Sequence, residues 1–199
     1  KLTADDGAAG DRFGKSVSID GDYAIVGADF GDSHSGSAYV FFRSGTTWTQ
    51  QTKLTASDTV ANNKFGRSVS IDGDYAIVGA NKDDGNSGSA YIFSRSGTTW
   101  IQPAKLTAAD AAADDQFGYS VSIDGDHVIV GAAFDDDGGN ASGSAYVYTD
   151  LPTLLIEVSP VAVTMGPVPV NFSSATFVKV KNTGTAALGV SAIAVTGAD

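Results

Sequence analysis

The chain of 199 residues contains no cysteine, so it has no disulfide framework and no thiolate metal site. Glutamate is almost missing as well. Of the 23 acidic residues only Glu157 is not an aspartate. Glutamate extends helices, whereas aspartate favours turns and caps. With 24 glycines beside it, this composition predicts many tight turns between strands. Basic residues are scarce: the net charge is −11, which argues against nucleic acid and favours cations or basic partners. No apolar run approaches the roughly 20 residues of a membrane span. Only two histidines occur, His34 and His127, at positions that do not correspond. No metalloprotease, nucleophile-elbow, P-loop or dinucleotide pattern is present. Gly31-Asp32-Ser33 matches an esterase-like block in one place only, and its counterpart is Asp83-Asp84-Gly85, so drift in a surface loop accounts for it. The expectation is a non-enzymatic protein.

What is present is repetition. Lys1-Leu2-Thr3-Ala4 returns as Lys53-Leu54-Thr55-Ala56 and as Lys105-Leu106-Thr107-Ala108, a step of 52 residues each time. Each copy then runs Phe-Gly (13–14, 65–66, 117–118), Ser-Val-Ser-Ile-Asp-Gly-Asp, an apolar stretch ending Val-Gly-Ala (26–28, 78–80, 130–132), and Gly-Ser-Ala-Tyr (36–39, 88–91, 143–146). A period near this length marks a supersecondary unit that buries its apolar face only against further copies of itself.

Four strands are predicted per unit. Ser16–Ile19 alternates with period two. Asp20-Gly21-Asp22 is a hairpin turn. Tyr23–Ala28 is apolar throughout and reads as buried on both faces. Ser37–Phe42 and Trp48–Leu54 follow across a second turn. This is the pattern of a β-propeller blade: an all-β fold with three four-stranded repeats at about 1–52, 53–104 and 105–150. Tyr39, Tyr91, Tyr146, Trp48 and Trp100 are expected to fill space between blades.

Phe-Gly followed by Val-Gly-Ala in three copies of common register resembles the FG-GAP repeat, the blade unit of integrin α-subunit propellers and of many bacterial surface proteins. The resemblance covers roughly residues 1–148. It implies a propeller, an extracellular or cell-surface location and calcium as the usual cofactor. The family's calcium loop, of the form Asp-x-Asn-x-Asp-Gly-x-x-Asp, is shortened here to Asp20-Gly21-Asp22, too few oxygens for the six to eight that calcium takes. A second acidic loop, between the second and third strands, offers Asp32, then Asp83 and Asp84, then Asp135, Asp136 and Asp137. These are the candidate calcium ligands, best in the third copy, against the plainer reading of a solvated turn. The loops should share one rim, where a protein or glycan partner would be read.

The third copy stops without a Trp-bearing fourth strand, while Lys1, Leu2, Thr3 and Ala4 are the tail of one. Three copies fall short of the four to eight blades of a propeller. More blades precede Lys1, or two chains join, or Lys1–Ala4 completes a blade of the next subunit and builds a homo-oligomer or filament; the first is favoured. The chain, opening on Lys1 within a repeat, is expected to be a piece of a longer product.

From Leu151 aspartate nearly vanishes and Val, Pro and Thr take over. Leu154–Pro160, Thr176–Lys181 and Leu188–Val195 predict strands of an immunoglobulin-like sandwich across 151–199, about half of the ~100 residues such a domain needs. Val178-x-Val180-x-Asn182-Thr183-Gly184 resembles the bacterial Ig-like domains related to the ASH and HYDIN group, with Met165-Gly166-Pro167-Val168 where that group has Phe-Gly-x-Val. The functional expectation is an extracellular binding or adhesion module; the alternative is a structural subunit of a filament or sheath, joined by strand exchange.

Overall fold

The structure, a computed structural model, describes residues 1–149, 151, 156–159 and 179–182. It divides into two units, Lys1–Leu151 and Pro152–Asp199.

In the first unit every repeat forms an antiparallel meander. The first sheet has the order β1 (Ser16–Asp20), β2 (Tyr23–Ala28), β3 (Ser37–Ser44) and β4 (Thr47–Leu54). The second has β5 (Phe65–Asp72), β6 (Tyr75–Ala80), β7 (Ser89–Ser96) and β8 (Thr99–Leu106). The third departs from the expected four strands. Among the described residues it holds only β9 (Phe117–Asp124), β10 (His127–Ala132) and β11 (Ser144–Tyr148). The reason lies in the sequence, which changes character after Tyr148 before a Trp-bearing strand is written. Pro103, which cannot donate to a ladder, is tolerated on β8 because that strand is the sheet's edge and is bulged there, where the register shifts between Ile92 and Ser94.

The repeated motifs are the joints between sheets. Phe13, Phe65 and Phe117 each set their ring edge-on or tilted against Tyr39, Tyr91 and Tyr146 of their own sheet, with centroids 5.4–5.6 Å apart. Gly27 of the first Val-Gly-Ala meets Gly66 of the second Phe-Gly so closely that a Cβ on Gly27 would lie 2.1 Å from the Gly66 carbonyl oxygen, and Gly79 meets Gly118 in the same way at 2.1 Å. Ser16 and Ser68 donate to those carbonyls, at 3.0 and 2.8 Å. The hairpin aspartates serve the same joint: Asp20 accepts from the Gly73 amide at 2.9 Å and Asp72 from the Gly125 amide at 2.8 Å. Apolar clusters fill the space between, one joining Ile25 and Val40 to Val69, Ile71 and Phe93, another joining Ile77 and Ile92 to Phe117, Ile123 and Val130.

In the second unit β12 (Ile156–Ser159) pairs antiparallel with β13 (Lys179–Asn182). They overlap two of the three strands predicted there, β13 running one residue past the predicted end at Lys181. The Leu188–Val195 strand, and with it the complete Ig-like sandwich, lies outside the described residues.

Candidate functional site

The tyrosine of each Gly-Ser-Ala-Tyr motif stands at the centre of a cluster of carboxylates. Cross-strand pairing places a lysine beside it in the first two sheets, since Tyr39 pairs with Lys53 and Tyr91 with Lys105. Directly opposed residues project from the same face. The loop after β2 or β6 and the loop entering the repeat then bring aspartates to that face.

The second sheet shows the arrangement in full. The buried Tyr91 hydroxyl lies 2.7 Å from Asp83 Oδ2 and 2.8 Å from Asp58 Oδ1, donating its one proton to either. The Lys105 ammonium lies 2.7 Å from Asp58, 2.7 Å from Asp83 and 2.9 Å from Asp84. Three donors thus meet three carboxylates. Burial acts to raise the Asp83 carboxyl, but hydrogen bonds from Lys105 and Tyr91 and the charge of Lys105 outweigh it and hold the group below the usual carboxylate range. Burial acts to lower the Lys105 ammonium, and the carboxylates outweigh that too, leaving it above the ordinary lysine value. Burial and the two acceptors together push the Tyr91 phenol up, so it stays protonated.

The first sheet repeats the cluster with one substitution. Gly31 stands where Asp83 does, and Asp32, one residue on, takes its place: Lys53 Nζ lies 2.8 Å from Asp32 and 2.6 Å from Asp6, and Ser37 donates to the second Asp32 oxygen at 2.7 Å. In the third sheet Tyr146 lies 2.7 Å from the buried Asp135 and 2.9 Å from Asp110. Asp137 joins through its amide, which donates to Asp135 Oδ1 at 3.0 Å. Among the described residues no lysine reaches this cluster. The charges of Asp135 and Asp110 accordingly raise the Asp137 carboxyl.

The structure therefore brings the predicted loop aspartates Asp32, Asp83, Asp84, Asp135 and Asp137 to this face, while Asp136 points to solvent. Matched by contact, Asp135 corresponds to Asp83. The arrangement does not fit calcium in the first two loops, because an ammonium already holds the oxygens a calcium ion would need. Among the described residues no group of three acidic or histidine side chains is placed to hold a metal ion. Lys1, Leu2, Thr3 and Ala4 lie outside any strand, and Leu2 and Ala4 pack against Tyr39 and Phe41 of the first sheet. Sequence reasoning assigned the tyrosines to packing and passed over Lys53, Lys105, Asp6, Asp58 and Asp110. Their signal was visible: both lysine and the Asp five residues after it recur at the repeat period.

The FG-GAP repeat model matches residues 1–41, 48–93 and 100–148. The chain belongs to the FG-GAP repeat family. No curated protein matches it closely enough to stand as a named relative. FG-GAP repeats are common in extracellular proteins of the adhesion type, and no helix among the described residues is long and apolar enough to cross a membrane.

Proposed function

We propose that this FG-GAP chain is a non-enzymatic, extracellular or cell-surface binding module, built as consecutive blades of a β-propeller and followed by an Ig-like segment. One observation carries the reading. A constant scaffold, locked by repeated Phe-Gly and Val-Gly-Ala joints, presents three β-strand-connecting loops of differing sequence, and the first two are hydrogen-bonded to the next repeat: the Asn62 amide donates to the His34 carbonyl and the Gln116 amide to the Asn86 carbonyl, both at 3.0 Å. Rigid presentation of variable loops suits recognition. The lysine–tyrosine–carboxylate clusters are, on this reading, the rigid base of those loops and not reactive groups; calcium has no part in the first two. The test is a binding screen of the whole chain against arrayed glycans and extracellular proteins. A partner lost when residues 30–35 and 82–87 are replaced by Gly and Ser supports the reading. Hydrolysis of an arrayed ligand, or binding indifferent to the loops, overturns it.

A second reading, a subunit of a filament or sheath, is favoured by exposed apolar side chains on the first and third sheets. Val17 and Ile19 of the first sheet and Ile129 and Val147 of the third are exposed, whereas their counterparts in the second sheet are buried. Lys1–Ala4 would complete the third sheet of another copy and set Lys1 over Asp110 and Asp135. Light scattering with negative-stain microscopy separates the two: discrete particles of fixed mass exclude the filament, and long particles of uniform width establish it.

A further inference from the structure

On a strongly acidic chain, four of the 12 lysines and arginines converge on one cleft of ≈ 290 Å³: Arg12, Lys64, Arg67 and Lys82. Residues from all three repeats line it, so it exists only when the sheets are stacked. One carboxylate, Asp29, faces the four cations. Its nearest is Arg67, at 3.8 Å. Like charges gathered this way repel one another, and a cleft lined mainly by one sign of charge focuses a positive potential.

The cleft also offers aromatic surface. Phe134 and Tyr119 are partly exposed and stacked edge-on, with centroids 6.0 Å apart, and Phe30 carries the Arg12 guanidinium at 3.7 Å and the Lys64 ammonium at 3.0 Å over its ring.

We propose that this cleft binds a carboxylated sugar residue, free or at the end of a glycan. A uronate supplies both complements: a carboxylate for Arg12, Lys64 or Lys82, and an apolar C–H face for Phe134 and Tyr119. Phosphate and sulfate lack the apolar face, and neutral hexoses lack the charge. The volume lies at the low end for ligand sites and suits one sugar ring. The inference rests on the reading of the chain as a binding module, and names the ligand class at the same rim. It uses the residues flanking the carboxylate clusters, not the clusters.

The test is an NMR titration of the whole chain with glucuronate, with glucose and inorganic phosphate as parallel probes. Glucuronate is expected to move the amide resonances of Arg67, Lys82 and Tyr119 saturably and to lose affinity as salt is raised. Glucose is expected to bind at least about tenfold more weakly, and Arg12→Gln with Lys82→Gln to weaken glucuronate at least about tenfold with the melting temperature unchanged. Phe134→Ala, at an exposed site, weakens it without touching charge. The proposal falls if glucuronate does not bind, if phosphate competes at equal affinity, or if the Arg12/Lys82 variant binds as before. A partner from the screen above that still needs the loops would in that case leave the binding module standing and remove only this ligand class.

Discussion

The second and third sheets are written almost alike, yet one is buried on both sides and the other is not. Ile77 of β6 is 0% exposed and its counterpart Ile129 of β10 is 45% exposed; Ile92 of β7 is 0% exposed and Val147 of β11 is 65%. The opposite end behaves as the mirror case, with Val17 at 69% where Val69 is at 7%. Residue type does not decide burial here. The neighbouring copy does, as expected when stability is a sum of repeat and interface terms. The same holds for charge: the second sheet's carboxylates enclose Lys105, and the third sheet's enclose no lysine among the described residues.

The most damaging change to this contrast is Lys105→Ala. It leaves buried Asp83 beside Asp58 and Asp84 with no cation, and loss of one partner of a buried pair costs about 3–5 kcal/mol. Chemical denaturation should show a loss in that range, and Lys105→Ala with Asp83→Asn should recover much of it. Lys53→Ala removes a pair whose aspartates are largely exposed, so its cost should stay near about 1 kcal/mol. Equal losses would mean that the two clusters are not different in kind.

Truncating the apolar counterparts asks the same question of packing. Ile77→Ala should cost about 2–5 kcal/mol by transfer and cavity terms, and Ile129→Ala, half exposed, under about 1 kcal/mol. If the two variants lose the same stability in solution, the third sheet's outer face is covered there by another copy or another blade.

The joint itself is tested by alanine at the motif glycines. On Gly79 a Cβ would meet the Gly118 carbonyl oxygen, which is backbone and cannot turn aside, whereas on Gly131 the close neighbour is only the Ser120 hydroxyl at 2.5 Å. Gly79→Ala should therefore separate the second and third sheets at a cost of about 1–3 kcal/mol, and Gly131→Ala should cost less, because the Ser120 side chain can rotate. Equal melting temperatures for the two would dissolve the distinction between an occupied and an open joint.

Much of this architecture was legible because it repeats. Strand boundaries, the hairpins at Asp20-Gly21-Asp22 and the early end of the third repeat follow from period-two alternation and turn chemistry within a fixed frame. The meaning of the joint glycines was not legible, since Gly27 and Gly79 are explained by the backbone carbonyls of Gly66 and Gly118, and those two by the carbonyls of Ser37 and Ser89, all far away in sequence. The lysine–tyrosine cluster was missed for a related reason. Tyr91 has the pattern of a core residue and is one; only its hydroxyl departs, and the register that puts Lys105 opposite it depends on a bulge at Gln102–Pro103 that alternation does not reveal. Shared acidity then suggested calcium, where two of the three loops hold their own cation. The cationic cleft was hidden by composition, because a net charge summed over the chain says nothing of where the few positive residues gather.

The smallest effect is in pH, and its sign separates the sheets. Asp58 and Asp83 have folded values below the unfolded value of about 3.9. The folded state binds fewer protons than the unfolded state in that window, so their contribution is present above about pH 4 and is lost as pH falls through the lower folded values. Asp135, also lowered, acts in the same acid window. Asp137 is the reverse. Its folded value is raised by Asp135 and Asp110, so the native state binds the extra proton, and acidifying from neutral down towards about pH 4 strengthens the third sheet while leaving the second unchanged. Hydrogen exchange at Tyr91 and Tyr146, corrected for intrinsic rates, reads both at once. Protection at Tyr146 should rise between neutral pH and about 4 with Tyr91 flat, and Asp137→Asn should abolish the rise. A flat response at Tyr146 would show that a cation from outside the described residues neutralises the third cluster, as a lysine does in the other two.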